Sequence, residues 1–196
     1  MDDINKLKEV FTERLTASQE IAVKKLQDFL DNDDKCFILK GYAGTGKTFL
    51  INGIVTYLEA MGVTFFLMAP TGRAAQVLSK KTKLRSSTIH RSIYQLDSGT
   101  EFRSEKSPGR DKWKIYFDVK DNDVTGAVYI IDEASMISNA YSEAEMVRFG
   151  SGYLLKDLLE FVNTEENKII FVGDPAQLPP VGSDISPALS ATYFEE

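Results

Sequence analysis

The chain has 196 residues, of which 43% are hydrophobic and 27% charged, and its formal net charge is −6. This composition excludes a disordered or collagen-like chain and fits one globular domain spanning residues 1–196, with room for a small insertion. The only cysteine, Cys36, excludes an internal disulfide and a cysteine-based metal site. No apolar run approaches the roughly 20 residues of a membrane span, and the acidic N-terminus lacks a secretory signal. We therefore expect a soluble, cytoplasmic protein without a membrane partner.

Apolar residues recur with helical or strand spacing along most of the chain. In chain order, the predicted elements are a helical segment at 4–30 with a start signal at 15–20, a strand at 36–39, a glycine-rich turn at 41–46, a helix at 48–61, a strand at 63–68, a helix at 71–79, a further helix start at 87–91, a strand at 127–131, a mostly helical segment at 141–162 and a strand at 168–172. Strands that alternate with helices predict an α/β fold, in which a parallel sheet carries helices on both faces.

Residues 97–125 interrupt this alternation. The segment is polar, contains Gly99, Pro108 and Gly109, and alternates apolar with polar side chains over 113–119. It predicts a loop with a β-hairpin or an edge strand, inserted into the α/β domain. Its aromatic side chains either pack the hairpin or offer flat faces on which nucleobases stack, and they are Trp113, Tyr116 and Phe117.

The glycine-rich turn has the sequence GYAGTGKT at residues 41–48 and fits the pattern G-x-x-x-x-G-K-[ST]. Glycines let a backbone approach phosphate oxygens closely, and the N–H groups of the loop and of the following helix then face the anion. We expect Lys47 to reach the β- and γ-phosphates of a nucleotide and the Thr48 hydroxyl to ligate Mg²⁺. The other residues expected at the phosphates are Gly41, Ala43, Gly44, Thr45 and Gly46. A turn that binds no ligand is the alternative.

Two carboxylates, Asp132 and Glu133, follow the apolar strand at 127–131. Parallel strands deliver such side chains to the carboxyl edge of the sheet, where α/β proteins bind ligands. We expect Asp132 to hold Mg²⁺ through water and Glu133 to act as the general base that polarises the attacking water. By itself, an adjacent acidic pair more often only ends a strand.

The last predicted strand runs into residues 172–182, VGDPAQLPPVG. An amide beside the γ-phosphate position can sense the state of the nucleotide, because glutamine both donates and accepts hydrogen bonds. We assign this role to Gln177. The alternative is a surface turn shaped only by its proline and glycine residues.

Charge is distributed unevenly along the chain. The run from Pro70 to Leu96 contains no Asp or Glu, although the chain as a whole is acidic. The same run holds six cationic residues, which are Arg73, Lys80, Lys81, Lys83, Arg85 and Arg91. This distribution indicates either an anion-binding face or a solvated helix surface.

Taken together and in order, these segments resemble superfamily 1 helicases of the RecD-like and Pif1-like branch. The resemblance covers about residues 15–182. Residues 15–19, which include Gln19, resemble the Q motif that reads adenine. The other matching segments are 41–48 (motif I), 69–75, APTGRAA (motif Ia), 88–90, TIH (the element next to motif Ia), 131–136, IDEASM (motif II) and 173–181 (motif III).

The resemblance implies the RecA-like first motor domain of an ATP-dependent 5′-to-3′ DNA helicase, which binds Mg-ATP and single-stranded DNA. In this family, motif Ia and the segment after it contact the DNA backbone. The expected DNA contacts are therefore Pro70, Thr71, Arg73 and His90, which lie in the acid-free run. A lone histidine is also often a structural residue.

A helicase of this kind also has a second RecA-like domain, which supplies an arginine finger. The chain ends 14 residues after Gly182, so we expect an isolated N-terminal motor domain that lacks this second domain. Arginine fingers contribute about 10³- to 10⁵-fold to the rate, so we expect poor hydrolysis by this chain alone. One alternative is a P-loop ATPase that works as a switch or loader and does not unwind DNA. A nucleotide kinase is a further alternative, disfavoured because no basic lid segment follows a phosphate-acceptor site.

Overall fold

A computed structural model describes residues 6–96, 101–107, 110–144, 146–180 and 183–194, and within 101–107 and 110–114 the description covers the backbone. The helices are α1 (Ala17–Asp31), α2 (Lys47–Ala60), α3 (Gly72–Thr82), α4 (Ile89–Ile93) and α5 (Leu154–Val162). The strands are β1 (Cys36–Lys40), β2 (Phe65–Ala69), β3 (Ser86–Thr88), β4 (Glu101–Ser107), β5 (Arg110–Phe117), β6 (Val128–Ile131), β7 (Val147–Phe149) and β8 (Lys168–Gly173).

The main sheet has the strand order β1-β8-β6-β2-β3, and every pair in it is parallel. Alternate strand residues face opposite sides, as the two-residue period of a strand requires. Ile130 and Ile170 pack with α1, α2 and α3 on one face, whereas Tyr129 and Phe171 pack with α4 and α5 on the other. The predicted parallel sheet with helices on both faces is confirmed.

The strand β3 was not expected. Ser86–Thr88 is short and polar, and it joins the sheet through parallel pairing of Ser87 with Met68. Thr88 then caps α4, because its hydroxyl accepts a hydrogen bond from Arg91 N at 3.2 Å. The helix start predicted at 87–91 is therefore correct, and the same residues serve as the sheet edge.

The N-terminal region is less helical than the prediction of 4–30. A short 3-10 turn at Leu7–Val10 is followed by irregular chain, and α1 begins only at Ala17. The reason is a capping box, in which the Thr16 hydroxyl accepts from Gln19 N and the Gln19 side chain accepts from Thr16 N. This start signal divides the segment in two.

The prediction of a mostly helical segment at 141–162 is wrong in its first half. This half contains β7, and α5 begins at Leu154. Gly150 and Gly152 have φ values of +46° and +87°, which break a helix, and β7 gains a partner because Val147 pairs with Ile115 of β5. The helical pattern in the sequence therefore describes α5 alone.

The expected hairpin at 97–125 is present as the antiparallel pair β4–β5, and β7 adds a parallel third strand to form what we call the accessory sheet. Residues 97–100 and 108–109 of the expected insertion lie outside the described residues, as does the side chain of Trp113. The Phe117 ring stacks on Phe149 with centroids 5.1 Å apart, so Phe117 packs the accessory sheet.

A buried carboxylate joins the accessory sheet to the main domain. Asp157 of α5 is 1% exposed and accepts hydrogen bonds from the Tyr94 hydroxyl at 2.7 Å and the Ser151 hydroxyl at 2.6 Å. The backbone N–H of Ser151 donates to the same carboxylate. Asp157 thereby fixes the chain that follows β7 to α5 and to the end of α4.

Within the described part of the chain, the helices are all too short or too polar to cross a bilayer.

Candidate functional site

The carboxyl ends of four neighbouring strands meet at one edge of the main sheet. Because β8 lies between β1 and β6, the loop after β8 stands between the glycine-rich turn and the Asp132–Glu133 pair. A hydrogen bond from Gly41 N to Gly173 O, 3.1 Å long, ties the turn to β8. The sheet order therefore brings the three predicted segments together.

The glycine-rich turn adopts backbone angles that favour glycine. Gly44 and Gly46 have φ values of +79° and +91°, and Gly46 directly precedes α2. The Thr45 hydroxyl folds back and donates to Tyr42 O at 2.8 Å. The loop thus leads into the N-terminus of α2, whose free N–H groups and dipole attract anions.

Lys47 lies along this turn with only 15% of its side chain exposed. Its Nζ donates to Gly41 O at 2.7 Å and to Tyr42 O at 3.1 Å, and it lies 4.0 Å from Asp174 Oδ2. Asp174 is 3% exposed and also accepts from Ala176 N. Sequence reasoning missed Asp174, although it lies inside the motif that contains Gln177.

A cavity of about 740 Å³ opens at this edge. It is lined by residues expected at a nucleotide, which are Ala43, Gly44, Gly46, Lys47, Thr48, Asp132, Glu133 and Gln177. Gly41 and Thr45 belong to the turn but do not line the cavity. The remaining wall comes from Met136 and from α3 with its cap, namely Thr71, Arg73, Ala74, Val77 and Lys81.

The two carboxylates occupy different environments. Burial raises the pKa of Asp132, an effect that the backbone N–H of Glu133 opposes, and the cations Lys47 and Lys81 lower this pKa as well. Glu133 has a left-handed backbone with φ +54° and leads into the 3-10 turn Ala134–Met136. A non-glycine residue in this region carries about 1 kcal/mol or more of strain, which only a well-determined surrounding structure maintains.

Gln177 is linked to the loop that follows β6. Its Oε1 accepts a hydrogen bond from the Ser135 hydroxyl at 3.1 Å, and Ser135 is 1% exposed. Since Ser135 comes two residues after Glu133, this bond joins the segment expected to sense the nucleotide to the segment expected to activate water. Ser135 was not anticipated as a site residue.

Gln19 does not line the cavity, and its side chain instead supports the glycine-rich turn through a hydrogen bond. Its Nε2 donates to Thr45 O at 3.1 Å, and its Oε1 accepts from Thr16 N at 3.0 Å. A Cβ atom at Gly46 would lie 2.5 Å from Gln19 Nε2. The absence of a side chain at Gly46 is what allows this close packing.

The residues expected to touch DNA fall into two groups. Thr71, which caps α3 by accepting from Ala74 N at 3.2 Å, lines the cavity together with Arg73, and Pro70 directly precedes them. His90 instead lies on α4, and its ring packs against Tyr94 and Phe149 at centroid distances of 5.4 and 5.1 Å. Burial lowers the pKa of His90, although Asp157 opposes this shift.

The donor set fits magnesium. Thr48 and Asp132 supply a hydroxyl and a carboxylate oxygen to the same cavity, and Mg²⁺ prefers oxygen ligands of this kind completed by phosphate and water. Among the described residues, no three His, Cys, Asp or Glu side chains gather into a cation site, so a phosphate ligand would have to complete this one.

Comparisons with known proteins agree with this geometry. A family model described as an AAA domain matches residues 14–186. An uncharacterized protein of Acanthamoeba polyphaga mimivirus is 32% identical over 186 residues, covering 84% of this chain and 33% of that protein. The ATP-dependent RecD2 DNA helicase of Deinococcus radiodurans is 28% identical over 148 residues, covering 76% of this chain and 16% of the helicase.

The fold also matches a solved structure. The crystal structure of the Pif1 helicase from Candida albicans superimposes with a TM-score of 0.54 at 20% identity, covering 94% of this chain and 38% of the helicase. The chain spans about a third, or less, of the length of the curated relatives that it matches. The family-model match over most of the chain shows that it belongs to the AAA domain family, and the resemblance to the RecD-like and Pif1-like branch of superfamily 1 helicases is confirmed.

Proposed function

We propose that this domain binds Mg-ATP and works as the first RecA-like motor domain of an ATP-dependent DNA helicase. The observation that carries the proposal is one cavity lined at once by Lys47 and Thr48, by the Asp132–Glu133 pair and by Gln177. These five side chains come from three segments at the same sheet edge, which are the start of α2, the end of β6 and the loop after β8. A ligand-free glycine turn would not require such convergence.

The proposed roles follow from the chemistry of each side chain. Lys47 exchanges the carbonyls of its own loop for the β- and γ-phosphate oxygens, and Thr48 with Asp132 holds Mg²⁺, which neutralises phosphate charge. Glu133 accepts the proton of the attacking water, and Gln177 contacts the γ-phosphate. Gln19 retains one free amide hydrogen after donating to Thr45 O, and we propose that it contacts the adenine.

The proposed nucleic-acid partner is single-stranded DNA. Pro70, Thr71, Arg73 and His90 remain the proposed backbone contacts, and the exposed cations of the same acid-free run add a salt-dependent attraction. The exposed cations that do not line the cavity are Lys80, Lys83, Arg85 and Arg91. We further propose that translocation, in the 5′-to-3′ direction, needs a second RecA-like domain whose arginine finger completes the site.

The test is Mg²⁺-dependent ATP hydrolysis by this chain, measured with and without single-stranded DNA. We expect binding of ATP with slow turnover, because no finger is supplied from this domain, and a change in nucleotide handling when DNA is added. ATP binding without any response to DNA would favour a switch or loader ATPase. ATP binding that survives unchanged in a folded Lys47→Ala variant would contradict the nucleotide site itself.

A further inference from the structure

Two of the six cations of the acid-free run, Arg73 and Lys81, line the cavity, and Lys81 has no role in the motifs described above. Lys81 lies in the last turn of α3 and lines the cavity together with Arg73 and Val77. These residues are spaced four apart, so they form one stripe along the helix. The whole stripe therefore faces the cavity that Asp132 also lines, and Lys81 is its C-terminal member.

Contacts with α2 hold this end of α3 in place. Asn52 Nδ2 approaches Lys81 O at 3.5 Å, and Asn52 lies one turn after the Lys47–Thr48 start of α2. The N-terminus of α3 is fixed in turn by the Thr71 cap. Lys81 is thus carried on a helix whose two ends are both anchored beside the candidate nucleotide site.

The neighbouring lysines do not share this environment. Lys80, Lys81 and Lys83 are all exposed, but only Lys81 also lines the cavity. Lys83 also has a left-handed backbone, with φ +60°, that ends α3. The cationic run that looks uniform in the sequence therefore divides into an outward-facing set and two cavity-lining cations, Arg73 and Lys81.

The charge balance of the cavity indicates a role for Lys81. Asp132 and Glu133 both line the cavity, and Asp174 lies beside Lys47, so Lys47 and Arg73 alone would leave a bound triphosphate facing an excess of carboxylates. Lys81 supplies a third cation in the same cavity and offsets this excess.

We infer that Lys81 contacts the terminal phosphate of a bound nucleoside triphosphate and makes the site prefer the triphosphate over the diphosphate. This inference rests on the proposed nucleotide site. The N-terminus of α2 and Lys47 receive the β-phosphate, which both nucleotides carry, whereas Lys81 belongs to α3, a separate wall of the cavity, and meets only the additional phosphate. Lys81 is therefore a selective nucleotide-binding residue, in contrast to the shared contacts of the glycine-rich turn.

The experiment compares the affinities of Mg-ATPγS and Mg-ADP for the wild type, Lys81→Gln and Lys80→Gln by titration calorimetry. We expect Lys81→Gln to weaken ATPγS binding about tenfold, as loss of a charge-assisted contact does, and to leave ADP within about twofold. Lys80→Gln, adjacent in sequence and facing outward, should change neither affinity. Lys81→Arg should recover most of the ATPγS affinity, and thermal unfolding checks that each variant is folded.

Three outcomes would overturn the inference. Lys81→Gln could leave both nucleotide affinities unchanged, or weaken ATPγS and ADP equally, in which case Lys81 does not read the terminal phosphate. The variant could also weaken single-stranded DNA binding while both nucleotides bind as they do to the wild type. Lys81 would then attract DNA, as proposed for Lys80, and would have no role in nucleotide binding. If Lys47→Ala, run in parallel, binds both nucleotides normally, the proposed nucleotide site itself has failed instead.

Discussion

The main sheet and the accessory sheet are held together in different ways. The central strands β6 and β8 are apolar and almost fully buried on both faces, so apolar packing adds to their parallel pairing with the neighbouring strands. The accessory sheet depends on specific polar and aromatic contacts, chiefly the Asp157 carboxylate and the Phe117–Phe149 pair. The candidate site residues therefore lie at the edge of the densely packed main sheet, whereas the accessory sheet is attached beside it through contacts of its own.

If the chemistry is confined to the sheet edge, the largest effect should come from Glu133→Gln. We expect ATP binding within about threefold of the wild type and a loss of turnover of about 10²- to 10⁴-fold, because the amide cannot accept the proton of water. Steady-state hydrolysis and nucleotide titration measure the two quantities. The exposed Glu165→Gln serves as the control, and comparable turnover in Glu133→Gln would remove Glu133 from the mechanism.

Lys47→Ala should separate ligand binding from folding. We expect nucleotide affinity to fall by about 10²-fold, since the ammonium that can face two phosphates is lost, whereas the thermal midpoint should change little. The matched control is Lys35→Ala, an exposed lysine at the opposite, amino-terminal end of β1. A large drop in the midpoint would mean instead that Lys47 holds the turn together through Gly41 O and Tyr42 O.

Asp157→Ala tests the other side of the comparison. Removing this buried acceptor leaves the Tyr94 hydroxyl and Ser151 N–H unpaired, and we expect a loss of about 3 kcal/mol in the free energy of unfolding. Urea denaturation gives this value, and the exposed Asp123→Ala should change it by less than about 0.5 kcal/mol. Nucleotide affinity should remain that of the wild type at temperatures where the variant is folded, and a parallel loss would mean that the two regions are coupled.

Replacing the outward-facing lysines should affect DNA without affecting ATP. For Lys80→Gln with Lys83→Gln, we expect weaker binding of single-stranded DNA and a salt dependence of log K that falls by about 0.7 for each lost phosphate contact. Lys24→Gln with Lys25→Gln removes the same charge from the exposed surface of α1 and is the control. An identical salt slope in both double variants would show that the lysines of α3 face only water.

The smallest predicted effect concerns pH and His90. The folded-state pKa is lowered from its ordinary value of 6.5, so the unfolded chain binds the proton at a higher pH than the folded chain does. The contribution of neutral His90 to the free energy of unfolding is therefore fully present above the pKa of the unfolded chain. It is lost as the pH falls below 6.5 and through the lower pKa of the folded chain. His90→Phe keeps a ring against Tyr94 and Phe149, and we expect its free energy of unfolding to fall less between pH 7 and 5 than that of the wild type. Equal decreases in the two proteins would contradict a lowered pKa of the half-buried His90.

The sequence was most informative where chemistry constrains the residue types. The strand–turn–helix context of residues 41–48 and the acidic pair after β6 identify the sheet edge, because few other functions need glycines, lysine, threonine and carboxylates at these positions. The capping box at Thr16 was likewise readable as a helix start, although the irregular chain before it was not. Gln177, assigned from the chemistry of its amide, was placed in a common cavity with these residues only once the strand order was known.

Other features depend on contacts between distant segments and could not be predicted. β7 forms because it meets β5, some 30 residues earlier, and its own sequence carries no strand pattern strong enough to show this. Asp174 resembled an ordinary turn residue until Lys47 was placed beside it. Lys81 lines the cavity and Lys80 does not, because of how α3 is rotated against α2. The order of charges along the chain does not reveal this rotation.

The left-handed backbone at Glu133 has a consequence for how this domain can evolve. Glycine would relax that backbone, so thermodynamic stability favours glycine at a position where the proposed general-base role requires a carboxylate. A lineage released from the need to turn over nucleotide would be expected to drift there toward glycine or asparagine while keeping its fold. If Glu133 is the general base proposed above, the residue at this position would distinguish related domains that turn over nucleotide from those that have lost this activity.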